Sequence, residues 1–216
     1  MRVLVPFDAS EPKTRLSDVL DRRERAEFAY AMLEDVLSAV RESGEEPELL
    51  ATAPLADERD VTVPVTVDDR PLSPAINDVL AGADEPVAVV MADLALARPA
   101  DLHRLFDADG EVVAVPGRGG GTNALVVRHP EFRVDYHGVS FRDHRKVAAR
   151  IGAAFSVFDS HRLATDIDER SDLVELLLHG AGHAADWLDA AGFRLAETGG
   201  RVTVQRTDDS DSERLK

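Results

Sequence analysis

The chain opens on a short apolar run, Arg2 to Pro6, after which apolar residues return at helical spacing, with Leu20, Phe28, Met32, Val36 and Val40 on one face. This predicts a strand, then a helix that begins near Ser17, whose hydroxyl is suited to cap free N–H groups, and that ends at Gly44 and Pro47. Leu49 to Ala53, and then Val61, Val63, Val65 and Val67 at period two, predict further strands. A helix is expected from Ser73-Pro74, with proline in its first turn. Val87 to Met91 is apolar throughout and runs into Ala92-Asp93, the pattern of a central strand covered on both faces. Next come a helix over Pro99–Phe106, strands over Glu111–Val115 and Ala124–Val127, a helix over Phe141–Ala153 and a strand over Ala154–Phe158. Ser171 to Ala191 reads as one helix broken near Gly180-Ala181-Gly182. Phe193–Glu197 and Arg201–Gln205 read as a hairpin across Gly199-Gly200, and the polar segment from Thr207 is expected to be a disordered tail.

Strands alternating with helices predict an α/β fold, a largely parallel mixed sheet between helices, in one domain over residues 1–206. A chain of 216 residues, 44% of them hydrophobic, can bury one substantial core. The longest apolar run, Val87 to Ala92, is far below the roughly 20 residues a membrane helix needs, and the first ten residues lack a secretory signal's apolar stretch. A cytoplasmic protein without membrane contact is expected. The absence of cysteine excludes disulfides, thiolate metal sites and cysteine nucleophiles. A formal charge of −16 argues against nucleic acid as a partner, since it repels phosphate backbones. Lysine is scarce, at Lys13, Lys146 and Lys216, and the Asp, Glu and Arg surface suits a high-salt cytoplasm.

In an open α/β sheet, ligands bind outside the carboxyl ends of the strands, so Asp93 is placed for chemistry, although an aspartate there also serves as a loop or cap residue. Asp166 and Asp168, two apart in extended backbone, put both carboxylates on one face, where they can share a hard cation such as Mg2+. Lys13 and Arg15 follow the first strand, where two cations suit a polyphosphate. Pro116 to Asn123 contains three successive glycines and fits neither the P-loop nor the dinucleotide fingerprint. It does offer backbone that a ligand can approach closely, with Arg118 for charge and Thr122 for a hydroxyl. Ser140 begins a helix, with His144 one turn later, and either caps it or helps its N-terminus hold a phosphate. His179 and His183 lack a third ligand and the glutamate of the zinc-protease motif.

Several stretches together resemble the 2-phospho-L-lactate guanylyltransferases of coenzyme F420 biosynthesis, nucleotidyltransferases with a glycosyltransferase-A-like, Rossmann-type fold. They are Val5-Pro6-Phe7 with Lys13 to Ser17, Arg25 to Met32, Ala92-Asp93-Leu94, Gly117 to Leu125, Ser140 to His144 and Asp166-Ile167-Asp168. The resemblance implies condensation of GTP with a phosphorylated three-carbon acid, releasing pyrophosphate. It implies Lys13 and Arg15 on the triphosphate, Asp93 and Asp168 on Mg2+ with Asp166 sharing the metals, and Thr122 and Ser140 on the acceptor phosphate, beside Arg118. Two departures stand out: His137 brings an imidazole where the acceptor would lie, and Ser73 replaces an asparagine common in relatives. The residues are also compatible with another nucleotidyltransferase, a sugar-nucleotide-dependent glycosyltransferase or a non-catalytic nucleotide-binding module. The sequence leaves oligomeric state open, with a homodimer as the working expectation.

Overall fold

The first strand, β1 (Arg2–Phe7), is buried almost from end to end, and its alternate residues feed two different cores. Val3, Val5 and Phe7 face α1 (Arg22–Glu42), whereas Leu4 faces the layer that holds α2 (Leu72–Gly82). That is the period-two rule of a strand covered on both sides. The computed structural model describes residues 1–55 and 61–207; all of the expected tail except Thr207 lies outside the described residues.

The remaining elements are β2 (Pro47–Ala51), β3 (Val65–Val67), β4 (Val87–Val90), α3 (Pro99–Phe106), β5 (Val112–Pro116), β6 (Thr122–Val127), α4 (Ser140–Ile151), β7 (Phe155–Val157), α5 (His161–Ala164), α6 (Asp172–His179) and α7 (His183–Ala190). A hairpin of β8 (Phe193–Thr198) and β9 (Arg201–Arg206) closes the series. Among the described residues the main sheet has seven strands in the order β3-β2-β1-β4-β6-β5-β7. Only β6 runs against the others. It is reversed because the glycine-rich segment folds back on itself: Gly117 N–H donates to Gly121 O and Gly120, at φ 90°, donates to Gly117 O. A tight return of this kind can join only antiparallel strands. The start of β6 therefore shares an edge with the carboxyl ends of β1 and β4.

Helices α1 and α3 cover one face, and α2 and α4 the other. A third cluster joins Leu16, Leu20, Phe28 and Met32 to α6, α7 and the hairpin, and the Trp187 ring packs at a tilt against Phe28 there. The α/β architecture and the bounds of α3 agree with the sequence reading. Two expectations shift, and the expected break in the last long helix is present. The first long helix starts at Arg22, not near Ser17, because Asp21 and Glu24 form a reciprocal capping box, while Ser17 closes a 3-10 turn over Thr14–Leu16. The valine series yields a strand only over Val65–Val67. The break in the glycine-containing helix is complete, since the carboxylate of Asp35 occupies the space beside Gly182 and accepts from His183 and Ala184 N–H, capping α7 from another helix.

Candidate functional site

β1 is paired with β2 on one side and β4 on the other, so the chain leaves the ends of β1 and β4 in opposite directions and opens a crevice between them. After β1, the Asp8 carboxylate accepts from Ser10 N–H, Glu11 N–H and the Thr52 hydroxyl, which shapes the loop that delivers Lys13. Lys13 has φ 55° and ψ 41°, the only non-glycine residue with positive φ among the described residues. A left-handed lysine costs about 1–2 kcal/mol, and such strain persists where the surroundings over-determine it.

Here the over-determination is ionic. Lys13 Nζ lies 2.9 Å from Asp93 Oδ2 and 2.8 Å from Asp168 Oδ1, and Arg15 reaches Asp168 Oδ2 at 2.7 Å. The lysine side chain is 9% exposed. Burial works against its charge, but Asp93 and Asp168 outweigh that and hold the ammonium above the ordinary lysine range. Burial likewise works against the Asp168 carboxylate, and Lys13 and Arg15 prevail, keeping it below the usual range. A hydrogen bond from Ile167 N–H to Asp93 O ties the aspartate-rich segment to the end of β4, with Ile167 fully buried. Lys13, Arg15, Asp93 and Asp168 line a cavity of about 340 Å3 with Phe7, Glu11 and Met91. A second cavity of about 340 Å3 adjoins it across Pro6, Phe7, Asp8 and Met91, and is bounded by Leu50, Thr52, Asp68, Arg70, Leu72 and Ala75.

The three expected metal carboxylates do not converge. Asp166 accepts instead from Asn123 Nδ2 at 3.1 Å. Among the described residues no group of three or more histidine, aspartate or glutamate side chains is arranged to hold a metal ion. Two carboxylates do fit a divalent cation: Asp93 Oδ1 is buried without a hydrogen-bond partner, and Asp93 and Asp168 both reach one positive nitrogen. Mg2+ is commonly held by one or two carboxylates plus substrate phosphates and water.

Thr122 and Ser140 meet at the opposite side of the glycine-rich turn. Ser140 Oγ donates to Thr122 Oγ1 at 3.3 Å, and Thr122 Oγ1 lies 2.9 Å from His144 Nδ1. Ser140 is the first residue of α4 rather than its cap, and the N–H groups of residues 140–142 already donate to His137, Gly120 and Val139 carbonyls. No anion site at that helix N-terminus follows. Arg118 is exposed and makes no ion pair among the described residues. His137 turns to Asp143, 3.2 Å away. Ser73 Oγ accepts from Tyr136 N–H at 2.7 Å. His179 pairs with Glu175 and His183 with Glu34, on separate helices.

Sequence reasoning gave no role to Asn123, which also donates to Leu163 O. A Cβ at Gly117 would come 2.3 Å from its Oδ1, so the glycine at 117 admits this side chain. The signal was present, an amide directly before the apolar run Ala124 to Val127.

Among the described residues no helix is long and apolar enough to cross a membrane. A family profile described as guanylyl transferase CofC-like matches residues 1–207. A 2-phospho-L-lactate guanylyltransferase of Halomicrobium mukohataei is 60% identical over 206 residues, 95% of this chain and 100% of that protein. One of Natronomonas pharaonis is 61% identical over 206 residues, 95% of this chain and 99% of its own length. A solved nucleotidyl transferase from Methanothermobacter shares the fold, with a TM-score of 0.61 at 15% identity, covering 88% of this chain and 99% of that one. A profile spanning nearly the whole chain, and relatives of matching length at such identity, admit one conclusion: the chain belongs to the CofC-like guanylyl transferase family.

Proposed function

We propose that this protein condenses GTP with 2-phospho-L-lactate or a close phosphorylated three-carbon acid, such as phosphoenolpyruvate, releasing pyrophosphate and leaving a guanosine-diphospho-linked acid. The observation that carries this reading is the Lys13–Asp93–Asp168 cluster in the crevice beside β1, on a strained backbone that brings cation and carboxylates together. Family membership supports the substrates, because the relatives named above are 2-phospho-L-lactate guanylyltransferases.

The triphosphate takes the first cavity, where Lys13 and Arg15 supply positive charge that an otherwise acidic surface lacks. The adjoining cavity, walled by Leu50, Leu72, Ala75 and Met91, takes the base. Mg2+ held by Asp93 and Asp168 would neutralise phosphate charge when bound. Asp166 is held by Asn123. Thr122 and Arg118 take the acceptor phosphate, with Ser140 acting through its hydrogen bond to Thr122. A phosphate monoester has a second pKa near 6, so its oxygen is an ionised nucleophile at neutral pH and needs no general base. The chain's own work is alignment of that oxygen with the α-phosphorus, and charge on the departing pyrophosphate. The protein acts in the cytoplasm, with no nucleic acid or membrane partner, as a homodimer.

The test offers GTP or ATP with Mg2+ at molar salt, together with 2-phospho-L-lactate, phosphoenolpyruvate or a phosphoglycerate, and measures pyrophosphate with the nucleotide product identified by mass. Pyrophosphate only with GTP and one acceptor is expected. No release from folded protein refutes the reaction, and release of a nucleoside diphosphate instead identifies a glycosyltransferase.

A further inference from the structure

His144 is fully buried, and its two ring nitrogens meet groups of unequal freedom. Nε2 lies 2.9 Å from the backbone nitrogen of Asp135. A backbone N–H can only donate, so Nε2 must accept and carries no proton. A neutral imidazole keeps one N–H, which then sits on Nδ1 and points at Thr122 Oγ1, 2.9 Å away. The Thr122 oxygen accepts that proton and a second from Ser140 Oγ. Both of its lone pairs are then used, and its own proton is directed away from both neighbours. Thr122 donates to no acceptor among the described residues.

The Asp135 N–H is itself held in place. Val134 N–H donates to Asn77 Oδ1 at 2.8 Å, Asn77 Nδ2 returns a bond to Val134 O at 3.0 Å, and Tyr136 N–H reaches Ser73 Oγ. Helix α2 thus fixes the loop, the loop fixes the imidazole tautomer, and the tautomer fixes the direction of one hydroxyl. In the neighbouring turn, a Cβ added at Gly119 or Gly121 would meet nothing within 4 Å, and the same holds at Gly138, so the backbone there leaves open space.

We infer that His144 is a positioning residue for the acceptor: its Nδ1–H commits Thr122 to act as a donor, which is the polarity an oxyanion requires. The opposite tautomer would leave Thr122 free to donate back to the ring and turn its lone pairs to the anion. The inference rests on the proposed placing of the acceptor phosphate at Thr122.

Two substitutions separate the nitrogens. In His144→Gln the amide oxygen stands near the Nε2 position, so Asp135 keeps its acceptor and Thr122 loses its donor. In His144→Asn the amide nitrogen stands near the Nδ1 position and the loss is reversed. With GTP saturating, His144→Gln is expected to raise the KM for 2-phospho-L-lactate on the order of tenfold, the scale of one neutral hydrogen bond, with the KM for GTP unchanged. His144→Asn is expected to restore most of that loss. Equal acceptor KM values in the two variants overturn the positioning role. Thr122→Val separates the premise: if it raises the acceptor KM while the His144 variants behave alike, only the role of His144 fails. If Thr122→Val leaves that KM unchanged, the placing of the acceptor fails and takes the inference with it. Nitrogen-15 NMR of the folded wild-type protein needs no substitution. It should show a His144 ring protonated at Nδ1 alone, and protonation at Nε2 overturns the inference.

Discussion

Replacing Lys13 by methionine keeps the length of the stem and removes the ammonium that joins Asp93 to Asp168. That nitrogen is the hydrogen-bond partner of Asp93 Oδ2 at 2.9 Å, while Asp93 Oδ1 has none. With charge centres about 4 Å apart and an effective dielectric near 20, each attraction is about 4 kcal/mol. The cost of burying the ammonium offsets a large part of this, and side chains 25% and 31% exposed at Asp93 and Asp168 leave water to screen the rest. Asp168 also keeps Arg15, itself 66% exposed. The expected net loss is about 2 kcal/mol near pH 7, which lowers Tm by about 4–8 °C in a chain of this size. The sign with pH follows from Asp168. Its carboxyl is held below the usual range in the folded protein, so the stability it contributes is present above its unfolded value near 4 and is lost as pH falls through the folded one. The gap between wild type and variant is therefore full near pH 7 and closes below about pH 4. A divalent cation acts the other way, because two carboxylates without their ammonium present it with a site. Millimolar Mg2+ should raise the Tm of Lys13→Met more than that of the wild type. Urea unfolding at both pH values, at one fixed salt concentration, measures the first effect, and thermal melts with and without Mg2+ measure the second. A gap of equal size at both pH values refutes the ionic account of the cluster, and equal responses to Mg2+ refute a cation site shared by Asp93 and Asp168.

Asp93→Asn keeps the shape of the side chain and removes its charge; turnover should fall on the order of a hundredfold or more while circular dichroism stays that of the wild type, and near-normal pyrophosphate release would remove Asp93 from the site. Burial pushes the His144 imidazole down to about 4, so the folded protein resists a proton that the unfolded chain takes up near 6.5. This stabilisation is complete above about pH 6.5 and is lost toward pH 4, roughly 3 kcal/mol in all, and a stability–pH slope identical in wild type and His144→Gln would contradict it. Gly117→Ala drives a methyl to 2.3 Å from Asn123 Oδ1 and should cost about 1–3 kcal/mol by displacing the bonds to Leu163 and Asp166, read as a lower urea midpoint.

The sheet was legible because each of its strands is announced by apolar side chains in a run or at period two, and α3 because proline and a clean helical period mark both ends. The start of α1 was misread although Asp21 and Glu24 spell out a capping box, because Leu20 continues the apolar stripe. The structure uses Leu16 and Leu20 differently, as anchors of the turn that presents Lys13. Helix α5 escaped notice because four residues are too few to show a period, and its cap at Ser160 looks like any loop serine. At the site, residue types and strand ends pointed to Lys13, Asp93 and Asp168, which lie 80 and 155 positions apart along the chain. Periodicity predicts Asp166 and Asp168 on one face. It could not separate them, since their partners come from β6 in one case and from the loop after β1 in the other. His144 was hidden for a different reason: its proton is placed by a backbone N–H, and every residue type supplies that group except proline. What a sequence withholds in a site of this kind is less the identity of the charged groups than the direction of the neutral hydrogen bonds, which are set by backbone positions that side-chain patterns do not record.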